Sequence, residues 1–131
     1  MIGDLLVSGG ITTDFCFYPL QNGEFKGDYF HKVSYGSVNR ISCEGKLVVV
    51  NNRHNFEIWS IGVNIHRTEL LVRYEMPSTK YIVDCKLYRQ EVEDGTYLLL
   101  IITDEDTIGW KFSIETGLTK YITIQNHYLA V

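Results

Sequence analysis

The stretch "DTIGWKFSIETG", residues 106–117, alternates apolar and polar side chains around a tryptophan and then breaks into a Glu-Thr-Gly turn. A period of two places alternate side chains on opposite faces of an extended strand, so the stretch reads as β-strand and not helix. "NNRHNFEIWSIG" at 51–62 runs the same way, and "GITTDFCFYPLQNG" at 10–23 is a fainter version. Three relatives of one strand in 131 residues point to internal repetition.

The neighbours of each relative repeat as well. Ahead of them stand continuous apolar runs, "DLLVSG" (4–9), "KLVVVNN" (46–52) and "TYLLLIITD" (96–104). Runs of this kind suit strands covered on both faces. Behind them come "FKGDYFHKV" (25–33), "ELLVRYEM" (69–76) and "LTKYITI" (118–124). The first two put charges at alternate positions, as an outer edge strand does to discourage pairing with strangers. A further short strand precedes the second and third groups, "SVNRISC" (37–43) and "YIVDCKLY" (81–88), turning back through Gly45 or Gly95. Helical periodicity is nearly absent.

The unit is therefore four antiparallel strands joined by hairpins. The chain reads as one all-β domain, 1–131, with blade-like repeats over 1–35, 36–78 and 79–125. The longer third repeat carries its excess in "RQEVEDG" (89–95), where the second has only "EG" (44–45). Hairpin insertions cost little, because loop-closure entropy grows only logarithmically with length. The first repeat starts at its second strand, and the tail 126–131, with "HYLAV" (127–131), reads as the start of a further innermost strand.

"FEIWSI" (56–61) resembles the third strand of a WD-repeat blade. Phe56, Ile58 and Trp59 match the family pattern, and Ser60 stands where it has aspartate. "FCFYPL" (15–20) fits the same frame with Tyr18 at the tryptophan place, and "GWKFSIETG" puts Phe112 there, or Trp110 in the other register. No Gly-His dipeptide and no Trp-Asp pair occur. The resemblance implies a divergent WD-like β-propeller. It also implies a non-catalytic interaction scaffold that binds protein partners and assembles into a larger complex. Three blades do not close a ring, since propellers have four to eight. The expectation is a partial propeller, either a piece of a longer one or a half completed by another chain or by a second copy, two three-blade halves making six. A single closed β-sandwich or barrel is the alternative architecture. Cys43, Trp59 and Cys85 come in the immunoglobulin order, but 26 residues from Trp59 to Cys85 is short for such a domain.

Composition narrows the classes. The sequence is 45% hydrophobic and 21% charged, a globular balance. Its longest apolar run, Tyr97 to Ile102, is far too short to cross a bilayer, and no signal peptide is evident, so no membrane role is expected. Three cysteines, Cys16, Cys43 and Cys85, with no close pairing, fit a reducing compartment, cytoplasm or nucleus. The net charge of −4 disfavours nucleic acid as partner. Charge is uneven, however: residues 40–90 hold eight basic and five acidic residues.

No catalytic signature, metal or cofactor is expected. His31, His54, His66 and His127 have no metal-type spacing. Asp104, Glu105 and Asp106 read as a tight turn whose carboxylates cap backbone N–H groups, not as a calcium loop. What remains is surface. Arg53, His54 and Asn55 in the amide-rich turn "NNRHN" (51–55), with Arg67 and Arg73, form the expected partner-binding patch. The competing readings are a ligand-binding or enzymatic β domain with an unadvertised pocket, and RNA or phosphate binding through the basic middle.

Overall fold

The computed structural model describes residues 5–9, 14–21, 24–25, 29–32, 38–61, 69–90 and 95–125, with side chains from residue 38 onward except Tyr121 and Gln125. Among these residues the structure is all-β, with no helix. Twelve strands follow in order: β1 (Leu5–Gly9), β2 (Asp14–Gln21), β3 (Glu24–Phe25), β4 (Tyr29–Lys32), β5 (Arg40–Glu44), β6 (Leu47–Asn51), β7 (Asn55–Ser60), β8 (Glu69–Glu75), β9 (Ile82–Arg89), β10 (Thr96–Thr103), β11 (Asp106–Ser113) and β12 (Gly117–Gln125).

They make three four-stranded antiparallel sheets. The second runs β5-β6-β7-β8 and the third β9-β10-β11-β12, each in chain order. In the first, β2 is flanked by β1 on one side and by β3 and β4 in turn. The outer strand expected over 25–33 is thus two short pieces, both paired with β2. Among the described residues every strand order is open-ended, so the sheets do not close into the barrel of the alternative architecture. Cys43 and Cys85, the pair an immunoglobulin sandwich would bridge, are free thiols on strands of different sheets.

Local chemistry explains the hairpins. Gly45, Gly95 and Gly117 turn at φ of +58°, +78° and +78°, the left-handed region in which a side chain is strained. Gly45 also lacks room, since an added Cβ would lie 2.9 Å from a guanidinium nitrogen of Arg89. β7 shifts register against β8 between Ile58 and Trp59, and β11 does the same against β12 between Gly109 and Trp110. The two bulges align the second and third sheets residue by residue, Trp59 with Trp110.

The core lies between those two sheets. Leu47, Val49, Phe56 and Ile58 from the second meet Leu87, Leu99, Ile101, Ile108, Trp110 and Phe112 from the third. Trp110 stands edge-on to Tyr74, ring centroids 5.0 Å apart, and Phe56 stacks on Tyr74 at 5.2 Å. Trp110 and Phe112 therefore share the face packed on the second sheet. The opposite face of the second sheet is sealed too: Val48, Val50, Glu57 and Trp59 are all buried. β1 meets β5, and β5 and β6 lie against β9. The β5–β9 seam carries polar links, Leu87 N–H donating to Ser42 Oγ at 2.9 Å and Arg40 facing Asp84 at 3.8 Å.

Candidate functional site

The β6–β7 turn owes its shape to Asn52. Its side-chain oxygen accepts hydrogen bonds from the backbone N–H groups of His54 and Asn55, both at 2.8 Å, an Asx-type turn. Two later segments of the chain fasten the turn in place. His54 O accepts from Met76 N, and Arg53 O accepts from Ile82 N at the start of β9. With the backbone pinned twice, the exposed Arg53 and His54 project from a rigid base.

Arg53 lies over the ring of Tyr81, guanidinium carbon to centroid 5.5 Å. Beside it opens a shallow groove of about 430 Å³ lined by Val38, Asn39, Arg40, Arg53, Tyr81 and Val83 among others. Of the five residues expected in the patch, Arg53, His54 and Asn55 share this turn. Arg73 stands near the end of β8 that leads to the turn, 42% exposed and 2.9 Å from Glu75. Arg67 lies outside the described residues.

In the acidic turn 104–106 one carboxylate caps a backbone N–H as expected, and a hydroxyl caps two more. The Thr103 hydroxyl, not a carboxylate, accepts from the N–H groups of Glu105 and Asp106. Asp104 caps the Tyr81 N–H at 3.1 Å. Asp106, buried, receives Lys80 Nζ at 2.6 Å on one oxygen and the Thr103 hydroxyl at 2.6 Å on the other. Burial alone would raise the Asp106 carboxyl, but the bonds from Lys80 and Thr103 hold it below its ordinary range. The same bond pushes Lys80 up. Sequence reading missed Lys80 and Tyr81. Their partners lie 26 and 23 residues away, and no local pattern announces a pair so separated.

Glu57 is a second surprise, a fully buried carboxylate that accepts from Trp59 Nε1 at 3.1 Å. Alternation in "FEIWS" was the available signal, since it puts Glu57 on the face of Trp59. The thiols are poor nucleophiles: burial raises Cys43, and burial, then Asp84, push Cys85 up to about 12. Among the described residues no three His, Cys, Asp or Glu side chains converge as a metal site. His31 is described in backbone only, and His66 and His127 fall outside the described residues. No helix among the described residues is long and apolar enough to cross a membrane.

A cavity of about 680 Å³ opens at one end of the third sheet around Gly95, Tyr97, Lys111, Phe112 and Glu115. The chain matches no protein-family model and no curated protein.

Proposed function

We propose that this chain is a non-catalytic protein-interaction scaffold, three blades of a WD-like β-propeller that works as part of a multi-protein assembly. One observation carries the reading. The middle sheet is buried on both faces, one of them packed on the third sheet, and its first strand also meets β1 of the first sheet, which is what a blade flanked by blades requires. The repeated bulge ahead of Trp59 and Trp110 supports it, because equivalent strands then carry the same local device. The Lys80–Asp106 bond supports it further. WD-like blades are stapled by a buried His–Asp hydrogen bond, and here a lysine ahead of β9 reaches a buried aspartate in the β10–β11 turn.

A rigid turn beside a groove is the form a partner-binding surface takes on such a scaffold. Arg53, stacked on Tyr81, and Arg40 suit an acidic segment of a protein partner. The test is a photo-crosslinking residue placed at His54 in the full chain, with and without Arg53→Glu and Arg73→Glu. A reproducible adduct with one protein, lost in the double variant, is expected. Adducts indifferent to both charge reversals would count against the patch. A crystal structure with the sheets packed as a two-layer sandwich, not around a common axis, would overturn the propeller.

A further inference from the structure

The bulge alignment of the second and third sheets exposes an inequality between them. On the second sheet, Leu47, Val49, Phe56 and Ile58, with Val72 and Tyr74 across from them, face the third sheet and are buried or half-buried. The matching positions on the third sheet are Leu98, Leu100, Thr107, Gly109, Ile122 and Ile124, which the registers place on the face pointing away from the core. Here Leu98 and Leu100 are half-buried, while Ile122 and Ile124 are 47% and 54% exposed. Gly109 lets Ile122 lie close over the backbone, since an added Cβ would come within 2.9 Å of its Cγ2. An apolar strip thus runs across β10, β11 and β12, bordered on the same face by Lys111 and Thr119 and, on β9, by Lys86 and Asp84, and its β12 end is open among the described residues. Tyr88 on β9, paired with Leu98 and 45% exposed, lies on the same face.

What covers the matching face of the second sheet is known: it is the face of the third sheet that carries Leu99 and Trp110, paired across β10 and β11. The chain presents one more face of that kind. In the first sheet the register pairs Leu6 with Tyr18 and Cys16 with Phe30, placing these four positions on one face. Tyr18 occupies the tryptophan place of the repeat. The partners Val7–Phe17 and Phe17–Tyr29 lie on the other face. By the same alignment the Val7–Phe17 face corresponds to Val49–Ile58, and the Leu6–Tyr18 face corresponds to Leu99–Trp110, the face that covers the second sheet.

We infer that a second copy of this chain covers the exposed face of β10, β11 and β12. Its first sheet docks there by the Leu6–Tyr18 face, and the converse contact closes a two-fold ring of six sheets. The inference rests on the propeller reading above and names the partner that completes it. The two end faces differ, so the contact is head-to-tail, and such a contact closes a ring when the rotation per unit is right. The new junction repeats the one already formed between the second and third sheets, and asks for no new kind of packing.

Sedimentation of the purified full chain at micromolar concentration tests this. The expected species has twice the 15.1 kDa chain mass. Ile122→Lys with Ile124→Lys changes exposed positions, so the chain keeps its far-ultraviolet spectrum, yet its dimer dissociation constant rises at least about tenfold. Tyr18→Lys, at the other end, gives a monomer too. A mixture of the two variants recovers a dimer, because one of the two junctions is then intact on both sides. A wild-type monomer overturns the second copy while leaving the scaffold reading to the crosslinking test. A Tyr18→Lys chain that dimerises as wild type, or a mixture that stays monomeric, overturns the head-to-tail arrangement.

Discussion

The second and third sheets are built to one plan and meet different surroundings. β6 reads Leu-Val-Val-Val and is buried along its whole length, while β10 reads Leu-Leu-Leu-Ile-Ile and is buried only at alternate residues. Similar strands in similar registers thus reach different burial, so the difference lies in neighbours and not in propensity. A continuous apolar strand states a demand for cover on both sides. It does not state who supplies it.

The sharpest way to break the comparison is to empty the face that is already covered. Phe56→Ala removes a fully buried ring stacked on Tyr74 and near Trp110, and leaves a cavity between the two sheets. The expected loss is about 3–5 kcal/mol in urea unfolding. On the open face Ile124, the counterpart of Tyr74, is 54% exposed, and its truncation to alanine is expected to cost no more than about 1 kcal/mol. Equal losses at the two positions would mean that the outer face is sealed within the monomer after all.

A smaller effect belongs to the fastening between Lys80 and Asp106 on the third sheet. Lys80→Met strips the buried Asp106 of its charged partner and is expected to cost about 1.5–3 kcal/mol. The pH dependence follows from the two shifts. Asp106 is held below its ordinary 3.8, so its contribution is complete above that pH and is lost as pH falls through the lowered folded value. Lys80 is raised above its ordinary 10.5, so its contribution is complete below that pH and is lost as pH rises through the raised folded value. Thermal unfolding of wild type and Lys80→Met should differ most near neutrality and converge at both extremes. A constant difference across the whole range would assign the loss to packing of the lysine stem.

Much of this architecture was legible because it is local. Strand alternation around Trp59 and Trp110, and the turns at Gly45 and Gly95, need only a few residues each, and a left-handed turn leaves a glycine as its mark. The splitting of the outer strand of the first sheet was not legible, since "FKGDYFHKV" alternates as one strand would. Of the candidate patch, the Arg53–His54–Asn55 cluster followed from adjacency in sequence. Its neighbours Tyr81 and Arg40 did not, because the groove is made where three separate segments meet. Nor did Glu57 look buried: a carboxylate inside is expected only when a donor is known, and Trp59 supplies it through strand geometry.

The smallest effect sharpens the comparison most. Val72 and Ile122 are equivalent by the two bulges, Val72 packed against the core and Ile122 47% exposed. Ile122→Thr removes the Cδ1 methyl and puts a hydroxyl in place of the Cγ1 methylene, on a side chain already half in water. At a dilution where the chain is monomeric, its unfolding free energy should move by no more than about 0.5 kcal/mol. Val72→Thr, nearly isosteric but burying a hydroxyl, should cost about 1–3 kcal/mol at any concentration. At concentrations where the second copy binds, the Ile122→Thr loss should grow toward that of Val72→Thr, because the face it lies on is then covered as the middle sheet's is. Unfolding midpoints measured across a dilution series check this. A loss at Ile122 that stays small at every concentration would mean that the third sheet keeps an open face, and that the two sheets are unequal by design and not by circumstance.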